Sequence, residues 1–387
     1  MKLGVVKETF LGERRVAVIP QNVANLKKLG LDVVVQSGAG LGAFISDGDY
    51  KKAGAEVVSS REEVLRNADI VCYVRGPGAD KNNLSDLNVI KKGATLIGMM
   101  EPLANPDIIQ KVAESGIIAF ALELMPRITR AQSMDVLSSM ATIAGYRAVI
   151  VAADIYSKIF PMMMTAAGTL FPAKVFIIGA GVAGLQAIAV AKKLGASVEA
   201  YDVRPEVKEQ VQSLGAKFIE LGLEIEEVSD KSGYAKAMSE EFYKKQREVM
   251  LKVIEASNIV ITTASVPGKK APVLVTEEMV KRMKPGSVVV DLAAEKGGNC
   301  ELTRPGEIVD YNGVKIVGLV NAPSDVPVHA SQMYSNNIKN FLQIIVKDGQ
   351  LRIDTSDEIV KGTLVTQNGE IISDIVKQAL TKSQGRF

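Results

Sequence analysis

Short apolar runs alternate with segments of helical period along most of the chain. In the first 130 residues the runs Leu3 to Lys7, Val33 to Gln36, Ile70 to Val74, Thr95 to Met99 and Ile117 to Leu122 are rich in Val and Ile, which predicts strands. Gln21 to Leu29 and Arg61 to Asn67 lie between them and repeat apolar residues at helical spacing. Such alternation implies a parallel sheet wrapped by helices. From Ala131 to Ile159 the period lengthens and predicts one long helix leading out of the first unit. A second alternating set follows, with strands expected at Val175 to Ile178, Ser197 to Tyr201, Lys217 to Leu221, Asn258 to Thr262, Ser287 to Leu292 and Lys315 to Val320. The tail carries an apolar face at Ile338, Phe341, Leu342 and Ile345, but it is too short for a core of its own and is expected to pack back on the first unit.

The second set begins with the sharpest local signal in the chain, Gly179-Ala-Gly181-Val-Ala-Gly184, set between an apolar strand and an apolar helix. In this pattern the first glycine makes a tight turn, the second lets a pyrophosphate approach the backbone, and the third allows close packing of helix on strand. Asp202 stands at the end of the next strand, where a carboxylate can accept hydrogen bonds from the adenosine ribose. It would also repel a 2′-phosphate, so NAD is the expected cofactor; Arg204, two residues on, leaves NADP open. The bland alternative for Asp202 is a solvated acid at a strand end. The fold class expected is α/β, two doubly wound parallel-sheet (Rossmann-like) domains joined by a long helix. Residues 1–139 plus 329–387 are assigned to the first domain and 140–328 to the second.

A second constellation lies in Arg127-Ile-Thr-Arg130-Ala-Gln132-Ser-Met-Asp135-Val-Leu-Ser138-Ser139. On a helix, Gln132, Asp135 and Ser139 would share a face. Gln132 and Ser138 could then hydrogen-bond a nicotinamide carboxamide while Arg127 and Asp135 form a charge pair; a helix cap with a surface ion pair accounts for the same spacing. Between Leu221 and the helix near Met250 runs a charged interval longer than ordinary α/β connections, read either as disordered surface or as a flap. Ser265-Val-Pro-Gly268 follows a strand and is either part of the ligand crevice or simply a turn. Met162, Met163 and Met164 are expected to fill a seam between domains.

Composition narrows the chemistry. The chain has 387 residues, 47% of them hydrophobic and 23% charged, which excludes a mainly disordered protein. Its 46 Lys and Arg against 44 Asp and Glu give a net charge of +2 and no general attraction to nucleic acid. One histidine, His329, read as a surface loop residue, and two cysteines, Cys72 and Cys300, cannot build a Cys/His metal cluster, and no metal is expected. The same cysteine usage, with no leader pattern at the N-terminus, points to a reducing cytosol. Residues 159–191 contain a single charge, Lys174, yet Pro161, Pro172 and Lys174 interrupt the run, so no membrane span is expected there.

With these residues in view the chain resembles the NAD(H)-binding component, domain I, of the proton-translocating nicotinamide nucleotide transhydrogenases. The pieces that carry the likeness are Lys7-Glu8 with Gly12 to Ala17, the Arg127 to Ser139 segment, Pro161 to Gly168, Gly179 to Gln186, Gly233-Tyr234-Ala-Lys236, Asp291-Leu-Ala and Gly297-Gly-Asn299. The resemblance implies that Arg127, Gln132, Asp135 and Ser138 line the nicotinamide site and that Arg130 lies among the cofactor-binding residues. It implies that Gly179, Gly181, Val182, Ala183 and Gly184 meet the pyrophosphate and that Asp202, Val203 and Arg204 surround the ribose. Tyr234 would ride a mobile loop closing over NAD(H), with Gly233, Gln246 and Ser265 nearby.

Alanine dehydrogenases are the nearest relatives of that family. They carry a substrate-binding lysine where this chain has Arg75, a catalytic histidine where it has Met99-Met-Glu101-Pro102, and an aspartate where it has Glu295; Arg15 matches in both. Exchange of hydride between two nicotinamide rings needs apposed rings and exclusion of water rather than a general base, so a histidine-poor chain permits it. The resemblance further implies a homodimer and an NADP(H)-binding partner component joined to a membrane proton channel. The expected location is cytoplasmic, peripheral at the cytoplasmic face of the inner membrane, with no direct membrane span. A soluble NAD-dependent alanine dehydrogenase and an NAD-binding module without turnover are the competing readings.

Overall fold

The computed structural model describes residues 1–220, 240–265 and 268–384. Most of the expected flap, including Gly233 and Tyr234, lies outside the described residues. In chain order the N-terminal strands are β1 (Lys2–Val5), β2 (Asp32–Gln36), β3 (Glu56–Val58), β4 (Ile70–Arg75), β5 (Thr95–Met99) and β6 (Ile118–Ala121), with helices α1 (Pro20–Lys28), α2 (Asp47–Lys52), α3 (Arg61–Asn67) and α4 (Pro106–Glu114) in the connections. Helix α5 (Val136–Ile155) and the hairpin β7 (Met163–Thr165) and β8 (Gly168–Leu170) follow. Next come β9 (Lys174–Ile178), α6 (Val182–Lys193), β10 (Ser197–Tyr201), α7 (Lys208–Ser213), β11 (Lys217–Phe218), α8 (Glu240–Ala256), β12 (Ile259–Thr262), α9 (Glu277–Arg282), β13 (Val288–Asp291), β14 (Ile308–Tyr311) and β15 (Val314–Gly318). The tail adds α10 (Pro327–Ile345), β16 (Val346–Lys347), β17 (Gln350–Leu351), α11 (Glu358–Thr363), β18 (Leu364–Gln367), β19 (Glu370–Ile371) and α12 (Asp374–Gln384).

The chain divides into two compact units, one of Met1–Met140 with Ser324–Phe387, the other of Ala141–Pro323. The first unit holds an eight-stranded sheet in the order β19-β18-β6-β5-β4-β1-β2-β3. Its six N-terminal strands are parallel and the tail adds an antiparallel edge, β18 pairing with β6 and β19 with β18. Both faces are buried, one under Val23, Leu26, Tyr334, Ile338, Phe341 and Leu342, the other under Val64, Leu65, Ile109 and Val112. Two-sided burial explains why β4 reads as an unbroken apolar run instead of an alternating one. Phe120 of β6 meets Phe341 of α10 edge to face at 5.3 Å, so the tail helix is part of this core.

The second unit holds a seven-stranded sheet in the order β11-β10-β9-β12-β13-β15-β14. All pairs are parallel except β14 on β15, an antiparallel edge. The parallel strands therefore run in the doubly wound order, with the reversal at β9 between β10 and β12. Among the described residues one helix, α5, is long and apolar enough to cross a bilayer. Its Ala148, Val149, Val151 and Ala152 lie in the core of the second unit, and that burial accounts for its apolar character.

Four expectations are corrected. The long helix expected from Ala131 to Ile159 is broken: Thr129–Met134 is a 3-10 turn, Asp135 is extended at φ −74 and ψ 95, and α5 begins only at Val136. The methionines expected in a seam lie on an outward hairpin, with Met164 76% and the following Phe171 80% exposed. His329, expected in a loop, sits exposed in the first turn of α10. The strand expected from Lys217 to Leu221 ends at Phe218, and both sheets carry antiparallel edge strands that the parallel pattern did not anticipate.

Candidate functional site

In the second unit β9 delivers the chain to the carboxyl edge of the sheet at the point where strand order reverses. Gly179 takes φ +98 there, with its N–H donating to Tyr201 O at 2.8 Å and its carbonyl accepting from Thr263 Oγ1 at 3.0 Å. A β-carbon on Gly184 would stand 1.8 Å from Gly179 O, so α6 can lie this close to β9 only with glycine at that position. Gly145 of α5 is under the same restriction, its β-carbon falling 2.1 Å from Ala183 O. Gly181 differs: it is the N-cap of α6 with no side-chain cap, and a β-carbon there would meet nothing nearer than Arg204 Nη2 at 4.0 Å. Open space over the N-terminal turn of a helix, where backbone N–H groups lack intrahelical partners, is what a pyrophosphate requires. Val182 is exposed on that turn and Ala183 half-buried.

Asp202 follows β10 with its side chain 7% exposed. Its carboxylate accepts from Ala180 N at 2.7 Å, tying it to the glycine turn, and from Arg204 N, Nε and Nη2, each at 2.9 Å. Val203 between them is half-buried. An acid at this strand end, held against a glycine turn with open space above its second glycine, fits a dinucleotide. Gln246 of α8 is buried and donates from Nε2 to the Tyr201 phenol at 2.9 Å, one residue before Asp202.

The loop after β12 is held by residues that the sequence reading did not single out. Asn299 is wholly buried; its Oδ1 accepts from Ala264 N at 3.0 Å and its Nδ2 donates to Ala264 O and Pro272 O at 2.9 and 2.8 Å. Ser265, the next residue, is half-buried. Asp291 anchors the same assembly by accepting from Ala293 N, Asn299 N, Cys300 N and Thr303 Oγ1. The signal available was the Gly297-Gly298 pair, both at positive φ (+96 and +78), which turns Asn299 back toward the sheet. Thr263 has no comparable signature, because its partner is a carbonyl far away in sequence.

In the first unit the Arg127 to Ser139 segment is a cap. Asp135 Oδ1 accepts from Ser138 N at 2.9 Å and Oδ2 from Ser138 Oγ at 2.5 Å, satisfying an N–H of the first turn of α5. The shared helical face expected for Gln132, Asp135 and Ser139 does not form, because the chain is extended at Asp135. Arg127 and Gln132 are exposed, and Ser138 is half-buried. Arg130 makes a bidentate pair with Asp357 at 2.9 and 2.6 Å.

The carboxyl edge of the first sheet gathers buried charge. Arg15 closes on Glu13 through Nε and Nη2 at 2.7 and 2.6 Å, Arg75 Nε reaches the same carboxylate at 3.3 Å, and the Arg75 guanidinium stacks over Phe10 at 4.1 Å. Burial opposes ionisation of Glu13, but the Arg15 and Arg75 guanidinium groups outweigh it and hold its carboxyl at about 2. Glu8 accepts from Val74 N and Arg75 N, yet burial first, and then the Glu13 charge, push it up to about 8. Glu123 accepts from Met100 N and Glu101 N, and burial raises it to about 7. Among the described residues no group of acids, His and Cys could hold a metal ion.

Residues 4–144 match the N-terminal domain of alanine dehydrogenase/PNT and residues 148–374 its C-terminal domain. The first of the separately encoded pieces of NAD(P) transhydrogenase subunit alpha from Rhodospirillum rubrum is 50% identical over 375 residues, covering 96% of this chain and 98% of that protein. The crystal structure of transhydrogenase from Sinorhizobium meliloti superposes with a TM-score of 0.85 at 46% identity, covering 96% of this chain and all of that one (100%). Alanine dehydrogenase of Mycolicibacterium smegmatis is 29% identical over 388 residues, 98% of this chain and 97% of that enzyme.

Proposed function

The chain belongs to the alanine dehydrogenase/PNT family, and we propose that it is the NAD(H)-binding subunit of a proton-translocating NAD(P) transhydrogenase. The observation that carries this reading is the glycine turn joined to Asp202 through Ala180 N, in a chain half identical to a transhydrogenase subunit. NAD(H) is the substrate of this subunit, and NADP(H) is held by a partner component. NADH and NADP+ become NAD+ and NADPH by passage of one hydride, with no proton gained or lost, so the site needs no general base. In this reading the chain's own residues bind and orient. Gly181 admits the pyrophosphate, Asp202 takes the ribose hydroxyls, and Gln132, Arg127 and Ser138 contribute at the nicotinamide end. The Asp135 cap holds Ser138 in place there.

The active form proposed is a homodimer, with the partner component joined to a membrane proton channel and this subunit peripheral at the cytoplasmic face. The hairpin of β7 and β8 supports the dimer, since it presents Met162, Met164, Leu170 and Phe171 to solvent in a single chain. Alanine dehydrogenase is the second reading, favoured only by the more distant likeness. The two readings part in one assay. NADH oxidation by the purified chain with pyruvate and ammonium tests the dehydrogenase; repetition with NADP+ and the soluble NADP-binding component of a transhydrogenase tests the subunit. Turnover with pyruvate and ammonium alone overturns the proposal, and hydride transfer only with the added component supports it.

A further inference from the structure

An ionised carboxylate offers about four lone-pair positions. At Asp202 the chain itself supplies four donors: Ala180 N and Arg204 Nη2 on Oδ2, Arg204 N and Arg204 Nε on Oδ1. A ribose diol can reach this carboxylate only if a donor leaves. Ala180 N cannot, because the glycine turn is held on either side by Gly179 on Tyr201 and Leu185 on Gly181 O. Arg204 N is bound two residues from Asp202 along a chain tied to the strand end. The guanidinium is the donor able to swing. It is on a long side chain 20% exposed, and it lies over the glycine turn, nearest of all atoms to the space above Gly181.

We propose that Arg204 is a selectivity-determining residue that acts in two opposed ways on the Asp202 acceptor. Its guanidinium competes with the ribose hydroxyls of NAD(H), which must displace it. The same cation offsets the repulsion between Asp202 and a 2′-phosphate, so it lowers the discrimination against NADP(H) that the acid alone would impose. Removing Arg204 therefore strengthens binding of the favoured nucleotide and sharpens the choice. An arginine that merely contacted the nucleotide would do the reverse on removal. The inference rests on the reading that the second unit binds NAD(H).

The test is equilibrium titration of the purified full chain with NADH and with NADPH, followed by nucleotide fluorescence, for the wild type, Arg204→Ala, Arg204→Lys and Asp202→Ala. Arg204→Ala is expected to bind NADH about threefold to tenfold tighter and NADPH about tenfold weaker, the scale of one or two charge-assisted hydrogen bonds exchanged. Arg204→Lys keeps the charge but loses the two-pronged geometry, so NADH should tighten as in the alanine variant while NADPH is largely retained. Weaker NADH binding in Arg204→Ala with an unchanged NADH to NADPH ratio overturns the inference. If that result comes with a wild type that prefers NADH and an Asp202→Ala variant that loses the preference, the nucleotide-binding reading stands and this inference alone falls. A wild type that binds neither nucleotide overturns the parent reading and the inference with it.

Discussion

A β-carbon on Gly184 would lie 1.8 Å from the carbonyl oxygen of Gly179, whereas one on Gly181, three residues earlier, would meet open space. The two glycines therefore fail in different ways. Gly184→Ala forces α6 away from β9 and is expected to destabilise the fold by about 1–3 kcal/mol, the range for overpacking. Gly181→Ala should leave stability within about 0.5 kcal/mol while weakening NADH binding tenfold or more, on the order of the loss expected when a phosphate is kept from a helix N-terminus. Thermal melts and NADH titrations of both variants check this; a Gly181→Ala protein with wild-type affinity would refute the phosphate assignment.

Gln132 is exposed and no part of the core depends on it. Gln132→Asn should melt with the wild type. With the partner component present it should slow hydride transfer by about tenfold or more while changing NADH affinity by no more than about twofold. Equal losses in rate and affinity would remove its positioning role.

Asp135 is the N-cap of α5 whatever else it does. Asp135→Ala should cost about 1 kcal/mol of stability, and Asp135→Asn, which keeps the capping oxygen, only a few tenths. Chemical denaturation of the two variants decides it, and indistinguishable midpoints would show that the cap contributes nothing.

Glu8 is pushed from 4.5 to about 8, chiefly by burial. Between those values the folded chain keeps a proton that the unfolded chain has released, so its contribution is fully present below about pH 4.5 and is lost as pH rises through about 8. Glu123 acts with the same sign toward about 7, and Glu13, lowered to about 2, acts only in acid. Glu8→Gln sets an amide N–H against one of the backbone donors and carries a uniform cost. Its melting temperature should nevertheless fall less steeply than the wild type's as pH rises through this window. Parallel curves would show that Glu8 does not titrate there.

The hairpin gives a test of assembly. Phe171→Asp with Met164→Asp places charge on residues 80% and 76% exposed in a single chain, so the fold should be retained. Sedimentation velocity should show the wild type as a dimer and the double variant shifted to monomer; a dimer that survives both changes would place the interface elsewhere.

Much of the architecture was legible in the sequence because it rests on local rules. A strand buried on both faces must be apolar throughout, so Thr95–Met99 and Ser197–Tyr201 could be read to the residue. A turn at positive φ followed by a helix that must touch its own strand demands glycine, and Gly179 and Gly184 advertise that demand within a few positions. Other features depend on partners distant in sequence. The tail strand β18 pairs with β6 after more than 240 intervening residues, and its short pattern carries no trace of which edge it will extend. The break at Asp135 sits inside an apolar period that a helix would satisfy equally well, and a capping acid ends that ambiguity only once Ser138 is in place.

The site divides along the same line. Sequence alone determined that an acid follows β10 and that glycines precede α6, since each choice answers to the backbone beside it. Tertiary structure decided that Ala180 and Arg204 already hold that acid, that Thr263 and Asn299 brace the loops around it, and that the methionine run faces outward. A hydrogen bond between residues far apart in sequence is specified by geometry the whole sheet must first create, and a pattern along the chain has no term for it.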